Sequence, residues 1–219
     1  MLDFHTHSLL SDGELLPGEL IRRGVVAGYS VIAVTDHADI SNLDFVLPRI
    51  LRASQDACLY YGIQAIPGVE LTHVPPSRIL DLTNQARQLG ARLVLVHGET
   101  IAEPVAEGTN RAALAAQVDI LAHPGLISLE EAELAAKHGI YLEISCRRGH
   151  SLTNGHVARM AQEAGAKLIL GTDAHCPGDL VSVAQAEKIL RGAGLDQAGI
   201  SAVWDNARNL ARKCLASSL

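Results

Sequence analysis

Aromatic side chains are scarce: two Phe, four Tyr and one Trp make up 3% of 219 residues. A core must therefore be built from Leu, Ile, Val and Ala, and a hydrophobic content of 48% supplies it. No apolar run approaches the ~20 residues of a membrane span, so no membrane-crossing helix is expected. The N-terminus lacks a basic segment followed by an apolar one, which argues against a signal peptide. Four cysteines (Cys58, Cys146, Cys176 and Cys214) are scattered without C-x-x-C spacing. Together these absences lead us to expect free thiols in a reducing cytoplasm. There is no basic tract interleaved with aromatics, so no extended nucleic-acid surface is expected. Lys and Arg number 18 against 24 Asp and Glu, a formal net charge of -6 with His neutral.

What is present is a repeated design. Short apolar runs punctuate the chain at Val31–Val34, Gln64–Val69, Arg92–Val96, Val118–Ala122, Ile140–Ile144 and Lys167–Leu170, and another opens it. They are continuously apolar rather than alternating, as expected for parallel strands covered on both faces. Segments with helical grammar lie between and after them. Pro17 opens one that Gly28 closes, Gly62 closes another that begins near Phe45, and Pro75-Pro76 starts a third that runs to Leu89. Ser128-Leu-Glu-Glu131 is a capping box, with Gly139 ending the helix it opens. Further helices are expected near 111–116, 154–164, 180–191 and 201–216. No domain boundary or internal repeat is evident, so residues 1–219 read as one domain.

Most of these runs end in a residue that binds metal. Asp3-Phe4-His5-Thr6-His7 places two imidazoles two residues apart, on the same side of an extended chain. The later runs lead to Asp36-His37, Glu70, His97, His123 and Asp173-Ala-His175. Six of the ten histidines thus occupy or follow strand ends. In an open sheet, seven strands would spread over roughly 30 Å at ~4.8 Å each, too wide for one site. In a closed barrel, the same strand ends ring one mouth. An α/β barrel is therefore the expected fold.

His5-Thr-His7, Ser11-Asp12-Gly13, Thr35-Asp36-His37, Gly68-Val-Glu70, Val96-His97-Gly98, Ala122-His123-Pro124 and Thr172-Asp173-Ala-His175 together resemble the motifs of the PHP (polymerase and histidinol phosphatase) family, in that family's order. The resemblance implies a distorted TIM-like barrel of seven parallel strands. It also implies three divalent ions (Zn, Mn or Fe), the first held by His5, His7, Glu70 and Asp173. Asp12, His37 and His175 would hold the second, and a bridging Glu70 with His97 and His123 the third. Six charges of this sign would roughly offset the negative balance of the chain.

The activity implied is that of a metal-dependent phosphoesterase, foremost a phosphomonoesterase of histidinol-phosphatase type acting on a small phosphorylated substrate. Water shared by two ions is acidified towards hydroxide, which can attack phosphorus in line. His5, His7, Glu70, His97, Asp173 and His175 would carry the catalysis. A PHP-type nuclease or nucleotide phosphatase is one alternative; a non-catalytic metal-binding or polymerase-associated module is another. Arg147 and Arg148 follow the sixth run at the expected mouth and are candidates to fork onto phosphate, as is Arg111. Glu99 and His150 are candidates for a general acid or for orienting the ligands. Asp36 is expected to orient a neighbour and His73 to line the mouth. His138 reads as an exposed helix-end histidine near the C-terminal dipole, His156 as structural and Cys146 as packing.

Overall fold

The computed structural model describes residues 1–216; the last three positions of the expected 1–219 domain lie outside them. Among the described residues, eight parallel strands and eight helices follow in the order β1 Leu2–Asp3, α1 Pro17–Val26, β2 Val31–Val34, β3 His37–Ala38, α2 Leu43–Tyr61, β4 Gln64–Leu71, α3 Ile79–Gln88, β5 Leu93–His97, α4 Thr109–Ala115, β6 Ile120–Ala122, α5 Leu129–His138, β7 Tyr141–Ser145, α6 Asn154–Ala164, β8 Lys167–Gly171, α7 Val183–Gly192 and α8 Gln197–Ala216. Along the sheet the order is β1-β2-β4-β5-β6-β7-β8, with the short β3 pairing β4.

The sheet curls until its two edges meet. Past β1 the chain leaves regular pairing, and Thr6 forms an isolated parallel bridge with Ala174. There Asp173 N donates to the His5 carbonyl at 2.8 Å and His7 N to the Ala174 carbonyl at 2.9 Å. Buried Asp3 fastens the same seam. Its carboxylate accepts the Thr172 hydroxyl at 2.5 Å and Thr172 N at 3.1 Å. The result is a nearly closed TIM-like barrel.

Two departures from the sequence reading bear on the site. The third expected strand runs on to Leu71, because β3 takes over from β2 as its partner: Val34 pairs with Pro67, then His37 with Glu70. The first expected strand is regular only over Leu2–Asp3, since after Phe4 its backbone bonds are divided between Asp173 and Ala174, just past β8, on one side and Thr35 on the other. Other boundaries shift by a few residues. The polar stretch before α6 also winds into a 3-10 turn over His150–Thr153.

Inward-facing residues of successive strands form one cluster: Phe4, Val31, Ala33, Ile66, Leu93, Leu95, Ile120, Ala122, Tyr141 and Ile169. Ala207, Leu210, Ala211 and Cys214 of α8 join it, so this helix closes the barrel at the N-terminal ends of the strands. Beside this plug, buried Asp119 accepts from Lys213 at 2.8 Å and from Arg87 and Val94 N at 3.0 Å each. The outer faces of the sheet pack on the remaining helices in two further apolar clusters. Fully burying each such Leu or Ile contributes ~1.5–3 kcal/mol, which makes the barrel a rigid support for its mouth.

Candidate metal centre at the barrel mouth

The inward face that carries the apolar cluster also carries the site, one step further along each strand. Ile66 leads by twos to Glu70, Leu95 to His97, Tyr141 to Glu143 and Ile169 to Asp173. Strand periodicity therefore stacks a polar layer directly on the apolar one. β6 is too short to do this in register, and His123 reaches the same layer with φ at 27°. Asp173 likewise has φ at 53°. Left-handed backbone at two non-glycine residues of one site is strain held in place by the surrounding barrel.

All nine residues of the expected ligand set converge there. His5 Nε2 lies 3.4 Å from Glu70 Oε1 and 3.7 Å from Asp173 Oδ1. His7 Nε2 lies 3.8 Å from Glu70 Oε2 and 3.3 Å from Asp173 Oδ1. On one side, Asp12 Oδ1 sits 3.4 Å from His37 Nε2 and 3.1 Å from His175 Nε2. On the other, His123 Nε2 is 3.3 Å from Glu70 Oε1, and the His97 and His123 rings are 4.4 Å apart. Asp36 shapes the turn that carries Asp12: its carboxylate accepts from Ser8 N, Ser8 Oγ and Ser11 Oγ, each at 2.7 Å.

These spacings fit cations better than hydrogen bonds. Buried His5 Nε2, both ring nitrogens of His7, Glu70 Oε1 and His175 Nε2 have no hydrogen-bond partner. Leaving such groups unpaired costs ~1–3 kcal/mol each. Yet donor atoms 3.1–3.8 Å apart match the edges of a shell whose bonds are ~2.0–2.2 Å. The residues present thus fit divalent ions, with imidazole and carboxylate donors suited to Zn, Mn or Fe.

Charge points the same way. Burial would raise the pKa of Glu70, but charged His5 and His37 hold it well below the usual carboxylate range. Burial likewise opposes ionisation of Asp173, and His5 and His7 overcome it. For the imidazoles, burial lowers His7 to about 3 with the help of His37, and lowers His97 to about 4 although Glu70 opposes this. His37 goes the other way. Burial disfavours its charge, but Glu70 and Asp12 raise it to about 10.

A cavity of about 200 Å³ opens above the cluster, lined by Asp12, His37, Thr72, His73, His97, Glu103, His123, Arg147, His150, Asp173 and His175. Arg147 stands in its wall, with Nη1 2.6 Å from His175 Nδ1 and 3.2 Å from the Asp173 carbonyl. Arg148 is exposed and outside this lining. Arg111 is not brought to the cavity; it pairs with Glu130 at 3.0 Å on the surface. Glu99 accepts from Asn110 N at 2.9 Å and so braces a loop. His156 bonds the carbonyl of Ile127, and His138, half-buried rather than exposed, that of Leu114. A larger cavity, about 750 Å³, lies near the opposite ends of the strands, with neither histidine nor carboxylate in its lining among the described residues.

Sequence reasoning missed Glu143. It is buried in β7, with Oε1 2.7 Å from His5 Nδ1, while Oε2 accepts from His123 N at 3.0 Å. The signal was one charged residue inside an otherwise apolar strand. It also missed Glu103, whose carboxylate lies 3.1 Å from His97 and 3.3 Å from His150. Nothing in the spacing of its loop marks it.

A parallel α/β barrel with imidazole and carboxylate donors gathered at the C-terminal ends of its strands defines the class of metal-dependent hydrolases. The PHP domain matches residues 3–150, and the chain belongs to that family, whose metal-dependent phosphatases are phosphoesterases. It is 49% identical over 195 residues to an uncharacterized protein of Methanocaldococcus jannaschii, covering 88% of this chain and 89% of the relative. It is 28% identical over 227 residues to a probable phosphatase of Thermoanaerobacter sp., covering 90% and 88%. Among solved structures, a chain of archaeal ribonuclease P with mature tRNA aligns with a TM-score of 0.75 at 16% identity, covering 96% and 90%. Histidinol phosphate phosphatase from Lactococcus lactis, complexed with zinc, L-histidinol and phosphate, aligns at 0.61 with 19% identity, covering 89% and 94%. Both likenesses are of fold. No helix among the described residues is long and apolar enough to cross a membrane.

Proposed function

We propose that this chain hydrolyses a small phosphate monoester, in the manner of a histidinol phosphatase, with divalent ions held at the barrel mouth. The observation that carries this reading is the convergence of the nine side chains of the expected ligand set at one polar cavity of about 200 Å³, six of them in its lining. That volume is below the ~300–1,000 Å³ of a drug-sized ligand site. It suits a phosphoryl group with a compact leaving group and leaves little room for a polynucleotide.

His5, His7, Glu70 and Asp173 would hold one ion, Asp12, His37 and His175 a second, and Glu70, His97 and His123 a third. Ions there would polarise the phosphoryl oxygens and bring the pKa of water near neutrality. Buried, ionised Glu70 and Asp173 supply the negative charge that fixes the cations. Arg147, braced against His175 and the Asp173 carbonyl, keeps guanidinium donors for a non-bridging phosphate oxygen. Exposed Arg148 would meet the substrate at the rim. The packed barrel beneath closes the floor to bulk water.

The relative named a probable phosphatase and the histidinol phosphate phosphatase fold both support the monoester reading. The test is phosphate release from histidinol phosphate, nucleoside monophosphates, a nucleoside bisphosphate and short single-stranded RNA. Turnover confined to one small monoester is expected. Hydrolysis of RNA with no release from the monoesters would overturn the reading in favour of a nuclease.

A further inference from the structure

His150 and Glu103 lie beside His97 and His123 without belonging to the ligand set that the family resemblance implies. The donor atoms of His97, His123 and His150 all fall within 4.8 Å of one another, and all three residues are buried. The His123 and His150 rings are 4.1 Å apart, and the His97 and His150 rings 5.7 Å. His150 is 4% exposed, yet its Nδ1 is buried without a hydrogen-bond partner. Above these rings is the Glu103 carboxylate, with Oε2 3.1 Å from His97 Nε2 and Oε1 3.3 Å from His150 Nε2. Adjacent donors at bond lengths of ~2.0–2.2 Å around one ion lie about 2.8–3.6 Å apart, according to its geometry.

We propose that His150 and Glu103 are ligands of the third metal position, joining His97 and His123 and closing it on the solvent side. This rests on the metal-centre reading above and enlarges its donor set. The backbone holds His150 ready for the role. Asn154 clamps the end of β7, accepting from Ser145 N at 3.1 Å and donating to the Ser145 carbonyl at 2.8 Å. Between these residues the chain turns at Gly149, with φ at 94°, and Ser151 N donates to the Arg147 carbonyl at 3.0 Å. Glu103, 40% exposed, is in contrast the most accessible donor of the group. His73 is its third imidazole neighbour, at 3.7 Å.

With the bridging Glu70, three imidazoles and two carboxylates would form a shell that favours Zn over Mg or Ca. Its affinity should therefore depend on two residues outside the nine.

The test is calorimetric titration of the chelated, desalted full-length chain with Zn²⁺, for wild type, His150→Ala and Glu103→Gln. Melting curves of the metal-free forms monitor folding. Three binding events are expected for wild type. His150→Ala and Glu103→Gln should each weaken the same one by more than about 100-fold, beyond the 10–100-fold seen when partners of ligands are lost. The other two should be unchanged. If His150→Ala does not fold, the solvent-side Glu103→Gln variant decides. Three unaltered events in the variants would overturn the proposal and leave the metal centre standing. No binding by folded wild type would overturn both.

Discussion

His5 Nδ1 and Glu143 Oε1 lie 2.7 Å apart, with both side chains wholly buried. The other oxygen of the same carboxylate accepts from His123 N at 3.0 Å. One acidic residue in the middle of β7 thus orients an imidazole from the start of the chain and fixes the backbone of another 118 residues later. Carboxylates placed behind ligating histidines set the tautomer and raise basicity at the far nitrogen. Here that nitrogen is His5 Nε2, which faces Glu70 and Asp173.

Replacing Glu143 with Gln should therefore lower metal affinity by about 10–100-fold while the barrel still folds. The amide can still accept from His5, but its NH₂ then opposes the donor at His123 N. Calorimetric titration with Zn²⁺ or Mn²⁺ checks this. Unchanged affinity would mean that His5 is oriented by packing alone.

Gly171 should tolerate no side chain. A Cβ there would land inside the Glu143 carboxylate and press on His5 Cβ at 3.0 Å. Gly171→Ala should displace Glu143, weaken metal binding at least tenfold and lower the melting temperature. Gly18→Ala is the control, since a Cβ there meets nothing within 4 Å and α1 should gain ~0.4–1 kcal/mol.

Metal uptake at the Asp12–His37–His175 position should strengthen with pH. A ligating imidazole must be neutral, and in the metal-free chain Glu70 and Asp12 overcome burial to hold His37 protonated to about 10. Each ion bound between pH 7 and 9 then expels a proton, and apparent affinity should rise about tenfold per unit. The sign is opposite for stability of the metal-free fold. The His37 pKa is raised above its unfolded value, so its contribution is complete below about 6.5 and is lost as pH rises through about 10. Titrations at several pH values check the first point, and urea melts of the metal-free chain the second.

Asp119 should matter for stability and not for metal. It accepts Val94 N, Arg87 and Lys213 at the end of the barrel closed by α8. Asp119→Ala strands a buried amide and should cost ~1–3 kcal/mol in urea unfolding, with metal stoichiometry unaltered.

The barrel was legible because most strands are short, largely apolar and set off by a nearby glycine or proline, so period and punctuation agree. The His5–His7 pair and Asp173–His175 were legible because spacing by two, at a strand end, carries chemistry of its own. β3 was not, because two residues leave no periodicity to read. Glu143 and Glu103 were missed because their partners are distant in sequence. Glu143 meets His5 across 138 residues, a contact that only barrel closure creates. Arg111 shows the converse: it reads as a phosphate ligand until the fold brings Glu130 to it.

The central claim is that this barrel hydrolyses phosphate esters with metal held by its mouth. The most direct measurement is phosphate release from a small monoester by the full-length chain as purified, after chelation, and after restoring Zn²⁺ or Mn²⁺. Turnover that vanishes with the metal, returns with it, and falls at least about 100-fold in His5→Ala and Asp173→Ala is the predicted result. Turnover indifferent to chelation, or none with bound metal on any ester tested, would contradict the account.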